Sequence, residues 1–276
     1  MHPEYFIFVP AYNVSQTLAD VLGRIPLAVM ERAQVLVIDD GSKDDTRGAF
    51  EGFVAGEAGV AGSDCAGDNR DALGLACAAH LQYMRFERNL GYGAVVKRGI
   101  SEGLRSGAKY IACLHGDGQY PAERLGEFFA HLEGAGGSPA GNQPENTAGK
   151  PPAIALVQGS RRLVPGAARA GNMPLYKRLG GAFLTALENV AFRQKLTDRH
   201  SGFIVYNAEF LKTLDLAKLS PSFDIDLEII SIADARGYRL AELPIPTRYA
   251  GETSNLNVIT YGLRVLRQTW RRFCLR

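Results

Sequence analysis

Seven short runs of β-branched and aromatic residues, at 5–9, 34–39, 83–87, 110–114, 153–158, 203–207 and 239–244, recur along the chain with helical periodicity between them. Strands separated by helices do not pair as simple hairpins, so the alternation commits the chain to βα units around a mainly parallel sheet flanked by helices. Val14, Leu18, Val21, Leu22 and Ile25 fall at helical spacing, as do Leu125, Phe128, Phe129 and Leu132. A longer helix carries Leu175, Leu179, Phe183, Leu187 and Val190 on one stripe, and another spans 225–236 before Gly237. The expected fold class is α/β.

Two stretches interrupt the pattern. Residues 55–80 are half Ala or Gly, and 134–152 hold nine Gly or Pro among 19 residues. Neither has apolar periodicity, so both read as insertions within one domain, about 55–80 and 134–152. That domain is expected to span 1–256, followed by a basic segment at 257–276. At 46% hydrophobic and 22% charged the composition is globular. Apolar runs such as 5–9 stop at about five residues, far short of the roughly 18 that cross a bilayer. No basic segment and apolar core follow Met1, so the chain is expected in the cytoplasm. A net charge of +2 speaks against nucleic acid as a partner. Cys65, Cys77, Cys113 and Cys274 lack metal-like spacing and read as free thiols, with 65 and 77 alone placed to pair.

In open α/β sheets ligands sit beyond the carboxyl ends of the strands, and those positions are polar here. The first strand runs into Pro10-Ala11-Tyr12-Asn13, the second into Asp39-Asp40-Gly41-Ser42, the fourth into His115-Gly116-Asp117-Gly118-Gln119. Asn13 is suited to cap a helix from Val14, and Ser42 with Asp45 fits a capping box. Asp117 and Gln119, on one face of an extended strand end, offer oxygens to a hard cation such as Mg²⁺ or Mn²⁺. A turn before Pro121 explains the same residues without a metal. Arg161, Lys177, Arg178 and Arg248 are candidates for phosphate, each weighed against a solvated surface charge. Gly91-Tyr92-Gly93 lacks its third glycine at the dinucleotide-binding spacing, so close helix packing explains these glycines better. No Gly-rich basic loop for a triphosphate lies between Val9 and Leu18.

The motifs VPAYN (9–13), VIDDGSKDDT (37–46), NLGYGAVVKRG (89–99), HGDGQYP (115–121), GSR (159–161), DRHSGF (198–203) and FDIDLE (223–228) follow one another in order over most of the chain. Together they resemble family 2 inverting glycosyltransferases of the GT-A fold, in the polyprenyl-phosphate branch typified by dolichol-phosphate mannosyltransferase. The resemblance implies a nucleotide-diphospho-sugar transferase fold, a GDP- or UDP-hexose donor, a polyprenyl-phosphate acceptor and a divalent cation. It implies that Pro10, Ala11, Tyr12, Asn13, Asp39, Asp40, Lys97, His115 and Gly116 hold the nucleotide, and Asp117 and Gln119 the metal. It assigns Arg161 and one of Lys177 or Arg178 to the acceptor phosphate, with Ser201 shaping the acceptor side. Arg248 and Ser254 fall in a loop that closes over the donor diphosphate. The family's Asp-x-Asp begins here with His115, which points to altered metal preference, and the glutamate that often follows PAYN is Val14.

The chemistry depends on the acceptor. An anionic phosphate attacks the anomeric carbon without a general base, leaving Asp117 and Arg161 to act through charge. A sugar hydroxyl needs a carboxylate to take its proton, and Asp198, Asp224 and Asp226 are the candidates. After Asn257 the chain has five arginines, no acid, and Trp270 and Phe273 among its apolar residues. That composition suits peripheral contact with the cytosolic face of a membrane or a helix docked on the domain. Two alternatives stay open: a transferase that glycosylates glycan hydroxyls, and a non-catalytic nucleotide-sugar-binding partner protein.

Overall fold

The computed structural model describes residues 2–56, 79–135, 153–164, 180, 182, 183, 185, 186, 189, 190, 195–199 and 201–246. Its strands are β1 (Tyr5–Ala11), β2 (Ala33–Asp39), β3 (Leu81–Arg85), β4 (Tyr110–Cys113), β5 (Ile154–Ser160), β6 (Ile204–Asn207) and β7 (Arg239–Pro244). The helices used below are α1 (Leu18–Gly23), α2 (Leu27–Met30), α3 (Thr46–Val54), α4 (Tyr92–Ser106), α5 (Leu125–Ala130), α6 (Ala208–Leu211) and α7 (Ile225–Ala235). The strands form one sheet in the order β3-β2-β1-β4-β6-β5-β7, parallel except for β6, which runs against both β4 and β5.

Both faces of the sheet are covered, so its strands are apolar on both sides. Tyr5, Ile7 and Val9 of β1 face a core shared with Leu18 and Val21 of α1, Phe50 of α3 and Phe128 and Phe129 of α5. Phe6 and Phe8 face the opposite core with Val95, Val96 and Ile100 of α4 and Ile229 and Ile230 of α7. Register aligns the carboxyl ends: Ala11 lies opposite Asp39, and Asp39 opposite Arg85. β4 stops at Cys113 beside Phe8, but Leu114 and Gly116 continue to donate to the carbonyls of Phe8 and Pro10 at 3.1 and 3.0 Å. Because β6 is reversed, its first residue, Ile204, lies opposite Cys113, and the segment before it reaches the same edge.

Three local expectations are corrected. The helix expected from Val14 starts at Leu18, because Asn13 takes a left-handed φ of 55° and side chains of Thr46 and Asp44 hold the amides of Val14 and Ser15. The cap of α3 is Asp45, accepting from Gly48 N, whereas Ser42 accepts from Asn13 N. The third strand lies two residues earlier than 83–87, set by pairing of Leu81 with Val35. In the expected 175–190 stripe, Phe183 and Val190 are exposed and Thr185 is buried; Leu175, Leu179 and Leu187 lie outside the described residues. So do residues 57–78 and 136–152 of the two insertions and the segment at 257–276.

α4 lies close on β1 because its inner face carries glycine: a Cβ on Gly99 would sit 2.3 Å from the Phe8 ring. Gly52 of α3 has nothing within 4 Å of the same position. Alanine gains helix propensity at either site, roughly 1 kcal/mol, but overpacking at Gly99 costs about 1–3 kcal/mol. Gly52→Ala should therefore raise the urea midpoint and Gly99→Ala lower it, with the slope unchanged in both.

Candidate active site

The end of β2 is a carboxylate-built platform. Asp39 is buried and accepts from Ser42 N at 2.7 Å and from the Tyr83 hydroxyl at 2.5 Å, with Arg85 3.7 Å away. Asp40 accepts from Leu90 N and Gly91 N at 2.7 and 2.9 Å, fixing the turn into α4. Burial raises the Asp40 carboxyl, and those two backbone bonds pull it back. Gly41 is required directly after the two aspartates: its φ is 74°, and a Cβ there would meet the Arg88 backbone at 2.7 Å. Asn13 completes the platform by accepting from Lys43 N at 2.8 Å. The structure thus places Pro10, Ala11, Tyr12, Asn13, Asp39 and Asp40 together, with both aspartates shaping loops through hydrogen bonds. Lys97 is engaged elsewhere, donating its ammonium to the Leu219 carbonyl.

The segment after β4 is a turn and not an extended strand end. Asp117 Oδ1 accepts from Gln119 N at 3.1 Å, Gly118 has a φ of 76°, and Thr17 donates to the Gly116 carbonyl at 2.7 Å. Buried Tyr120 ties this turn to the β6 side by accepting from Gly202 N at 2.8 Å. Asp117 brings one carboxylate, Gln119 one amide and His115 one imidazole. Among the described residues no three His, Cys, Asp or Glu side chains gather to hold an ion. This donor set fits a cation shared with a diphosphate that supplies the missing oxygens, and does not fit a permanently held metal.

At the end of β5, Arg161 forms a two-point ion pair with Asp198, Nε to Oδ2 at 2.7 Å and Nη2 to Oδ1 at 3.1 Å. Asp198 is 1% exposed. Its backbone amide donates to Glu242 of β7 at 3.0 Å, as does that of Thr197, so an edge strand holds the pair in place. Burial raises the Glu242 carboxyl, opposed by these amides. Burial pushes the Tyr120 hydroxyl up to about 12, with the charges of Arg161, Asp117 and Asp198 acting on it as well, so all three groups lie within electrostatic reach of this tyrosine. Ser201 is buried, and its hydroxyl has no partner among the described residues. Lys177, Arg178, Arg248 and Ser254 lie outside the described residues.

Sequence reasoning valued Tyr92 only as a spacer between glycines, but it centres a buried polar chain. Its hydroxyl donates to Asp226 Oδ2 at 2.8 Å, Tyr206 donates to Oδ1 at 3.2 Å, and His115 Nε2 lies 3.2 Å from the Tyr92 oxygen. Burial pushes Asp226 up to about 6, although both hydroxyls favour its ionised form. Burial also lowers His115, against the opposing charge of Asp117. A carboxyl raised in the folded state holds its proton there between about pH 4 and 6 while the unfolded chain releases it, so stability falls as pH rises through that window. A shift of this size corresponds to about 3 kcal/mol. The stability difference between wild type and Asp226→Asn, from urea unfolding at pH 4, 5, 6 and 7, should move against wild type by that order and level off above pH 6.

No family model matches the chain. It is 24% identical over 253 residues to a dolichyl-phosphate beta-glucosyltransferase of Trichomonas vaginalis, covering 89% of this chain and 64% of that protein. It is 22% identical over 244 residues to a UDP-N-acetylglucosamine–dolichyl-phosphate N-acetylglucosaminyltransferase of Methanococcus voltae, covering 88% and 85%. In fold it is similar to glucosyl-3-phosphoglycerate synthase from Mycobacterium tuberculosis in complex with Mn²⁺, UDP and glucosyl-3-phosphoglycerate, with a TM-score of 0.59 at 14% identity over 98% of this chain and 80% of that one. Fold, motif order and relatives agree: the chain has the GT-A glycosyltransferase fold and resembles the polyprenyl-phosphate glycosyltransferases.

Proposed function

We propose that the chain transfers a hexose, with inversion, from a GDP- or UDP-linked donor to a polyprenyl phosphate. One observation carries the choice of acceptor: each carboxylate considered as a base is already committed. Asp198 is clamped to Arg161, Asp224 accepts from Ser220 Oγ at 2.6 Å, and Asp226 accepts from two tyrosines. A hydroxyl acceptor must lose a proton to such a group, whereas a phosphate arrives as an anion. One phosphate oxygen attacks the anomeric carbon as the bond to the donor diphosphate breaks, and the diphosphate leaves with the bonding electrons.

Arg161 supplies a forked cation to an acceptor or leaving phosphate, and Asp198 holds it ready so that no ordering remains at the moment of reaction. A divalent cation on Asp117 and Gln119, when bound, neutralises the charge gathering on the leaving diphosphate. Pro10 to Asn13 and the turn at His115–Gly116 form the wall against which the nucleotide lies. Ser201, Lys177 or Arg178, Arg248 and Ser254 are the further candidates for contact with the acceptor and the diphosphate. No described helix is long and apolar enough to cross a membrane; a lipid acceptor is met peripherally from the cytosolic face, with the 257–276 segment beyond the 1–256 domain as the contact.

Ligands that bind only the folded state raise its melting temperature. Mn²⁺ or Mg²⁺ alone should shift it little, whereas GDP or UDP with the cation should raise it by several degrees, since roughly 100-fold saturation adds about 2.7 kcal/mol. In a transfer assay, Arg161→Ala should lose about 10²- to 10³-fold, the scale of one electrostatic donor. The pH–rate profile should show no essential base. Sugar transfer to oligosaccharide hydroxyls with polyprenyl phosphate ignored would overturn the acceptor assignment. Nucleotide binding without any turnover would favour the partner-protein alternative.

A further inference from the structure

We propose that Tyr92 and Asp226 hold His115 as its Nε2–H tautomer, so that Nδ1, on a residue two positions before Asp117, is left as a neutral nitrogen ligand tilting the cation site toward transition metals such as Mn²⁺ and Co²⁺ over Mg²⁺. The argument is a count of protons. Tyr92 has one hydroxyl proton, and it goes to Asp226 Oδ2 at 2.8 Å. The Cys113 sulfur, 3.8 Å from the same oxygen, is the weaker acceptor. With its proton placed, the Tyr92 oxygen offers lone pairs only, so His115 Nε2 at 3.2 Å is the donor. A neutral imidazole carries one N–H, and Nδ1 is therefore bare.

Packing keeps the ring in this orientation. Its centroid lies 5.3 Å from that of Tyr92 and 5.1 Å from that of Tyr120, edge-on to the latter. Gly202 closes the Nε2 side, where a Cβ would stand 2.5 Å from that nitrogen. Nδ1 has no hydrogen-bond partner among the described residues and is not among their buried unpaired atoms, so it stays open to a ligand. Imidazole favours transition-metal ions, whereas Mg²⁺ prefers an all-oxygen shell, and a group that fixes a ligand histidine's other nitrogen is worth about 10- to 100-fold in metal affinity. Tyr92 and Asp226 act through His115 and are positioning residues. The cation half rests on the transferase reading above; the tautomer half does not.

Long-range proton–nitrogen correlation NMR of the full chain labelled with ¹⁵N-histidine reads the tautomer without metal or substrate, with His115→Gln assigning the signal. Wild type should show a protonated Nε2 and a bare Nδ1. Tyr92→Phe, which removes a single oxygen, should lower that tautomer ratio about tenfold, and Asp226→Asn should do the same if it folds. In parallel, the nucleotide-dependent rise in melting temperature is titrated with Mn²⁺, Co²⁺ and Mg²⁺. The transition-metal preference of wild type should exceed that of His115→Asp about tenfold, with Tyr92→Phe between them. An Nδ1–H tautomer in wild type, or one unchanged in Tyr92→Phe, overturns the positioning role even where nucleotide binds. An identical cation ranking in wild type and His115→Asp overturns the ligand role. A wild type that no nucleotide stabilises with any cation overturns the transferase reading and the ligand role with it, and leaves the tautomer result to decide the positioning role by itself.

Discussion

Reversal of β6 is the constraint on which the polar edge depends. In a wholly parallel sheet the segment leading into a strand lies at the amino end, away from the residues that follow its neighbours. With β6 antiparallel to β4 and β5, residues 201–203 arrive beside the turn that follows β4. Gly202 then reaches Tyr120, His115 packs on the Gly202 backbone, and Asp198 meets Arg161 after β5. Three chain segments far apart in sequence become one surface through the direction of a four-residue strand.

The same edge is rich in buried acids, each kept by a different means. Asp39 and Asp40 are held by backbone amides and a phenol, Asp198 by a guanidinium, Asp226 by two phenols and Glu242 by amides. Burial of a charge is tolerated only where its oxygens are filled. One edge of the sheet can therefore hold many carboxylates: their oxygens are filled by amides, phenols and a guanidinium, and in return they set the positions of the loops they hold.

Much of this was legible in the sequence. The seven strand runs and the strand ends at which chemistry should be sought followed from hydrophobic period and polar residues, because both are local; the order of the strands in the sheet and the reversal of β6 did not. Asp117 and Arg161 were named from the polar strand ends, and both act electrostatically on Tyr120. What failed needed a partner from elsewhere. The helix start at Leu18 depends on Thr46 and Asp44, and the engagement of Lys97 on the Leu219 carbonyl. Tyr92 was unreadable as a polar group, since nothing near it in sequence shows that Asp226, 134 positions away, receives its proton.

β7 is the outermost strand on its side of the sheet, the position at which folds ordinarily tolerate fraying. Here it carries Glu242, whose carboxylate grips the amides of Thr197 and Asp198 and, through Asp198, sets the angle of Arg161. The aim of the guanidinium is therefore only as steady as the pairing between β5 and β7. A loosened sheet margin would reach the polar edge as a misdirected cation long before it registered as an unfolded protein.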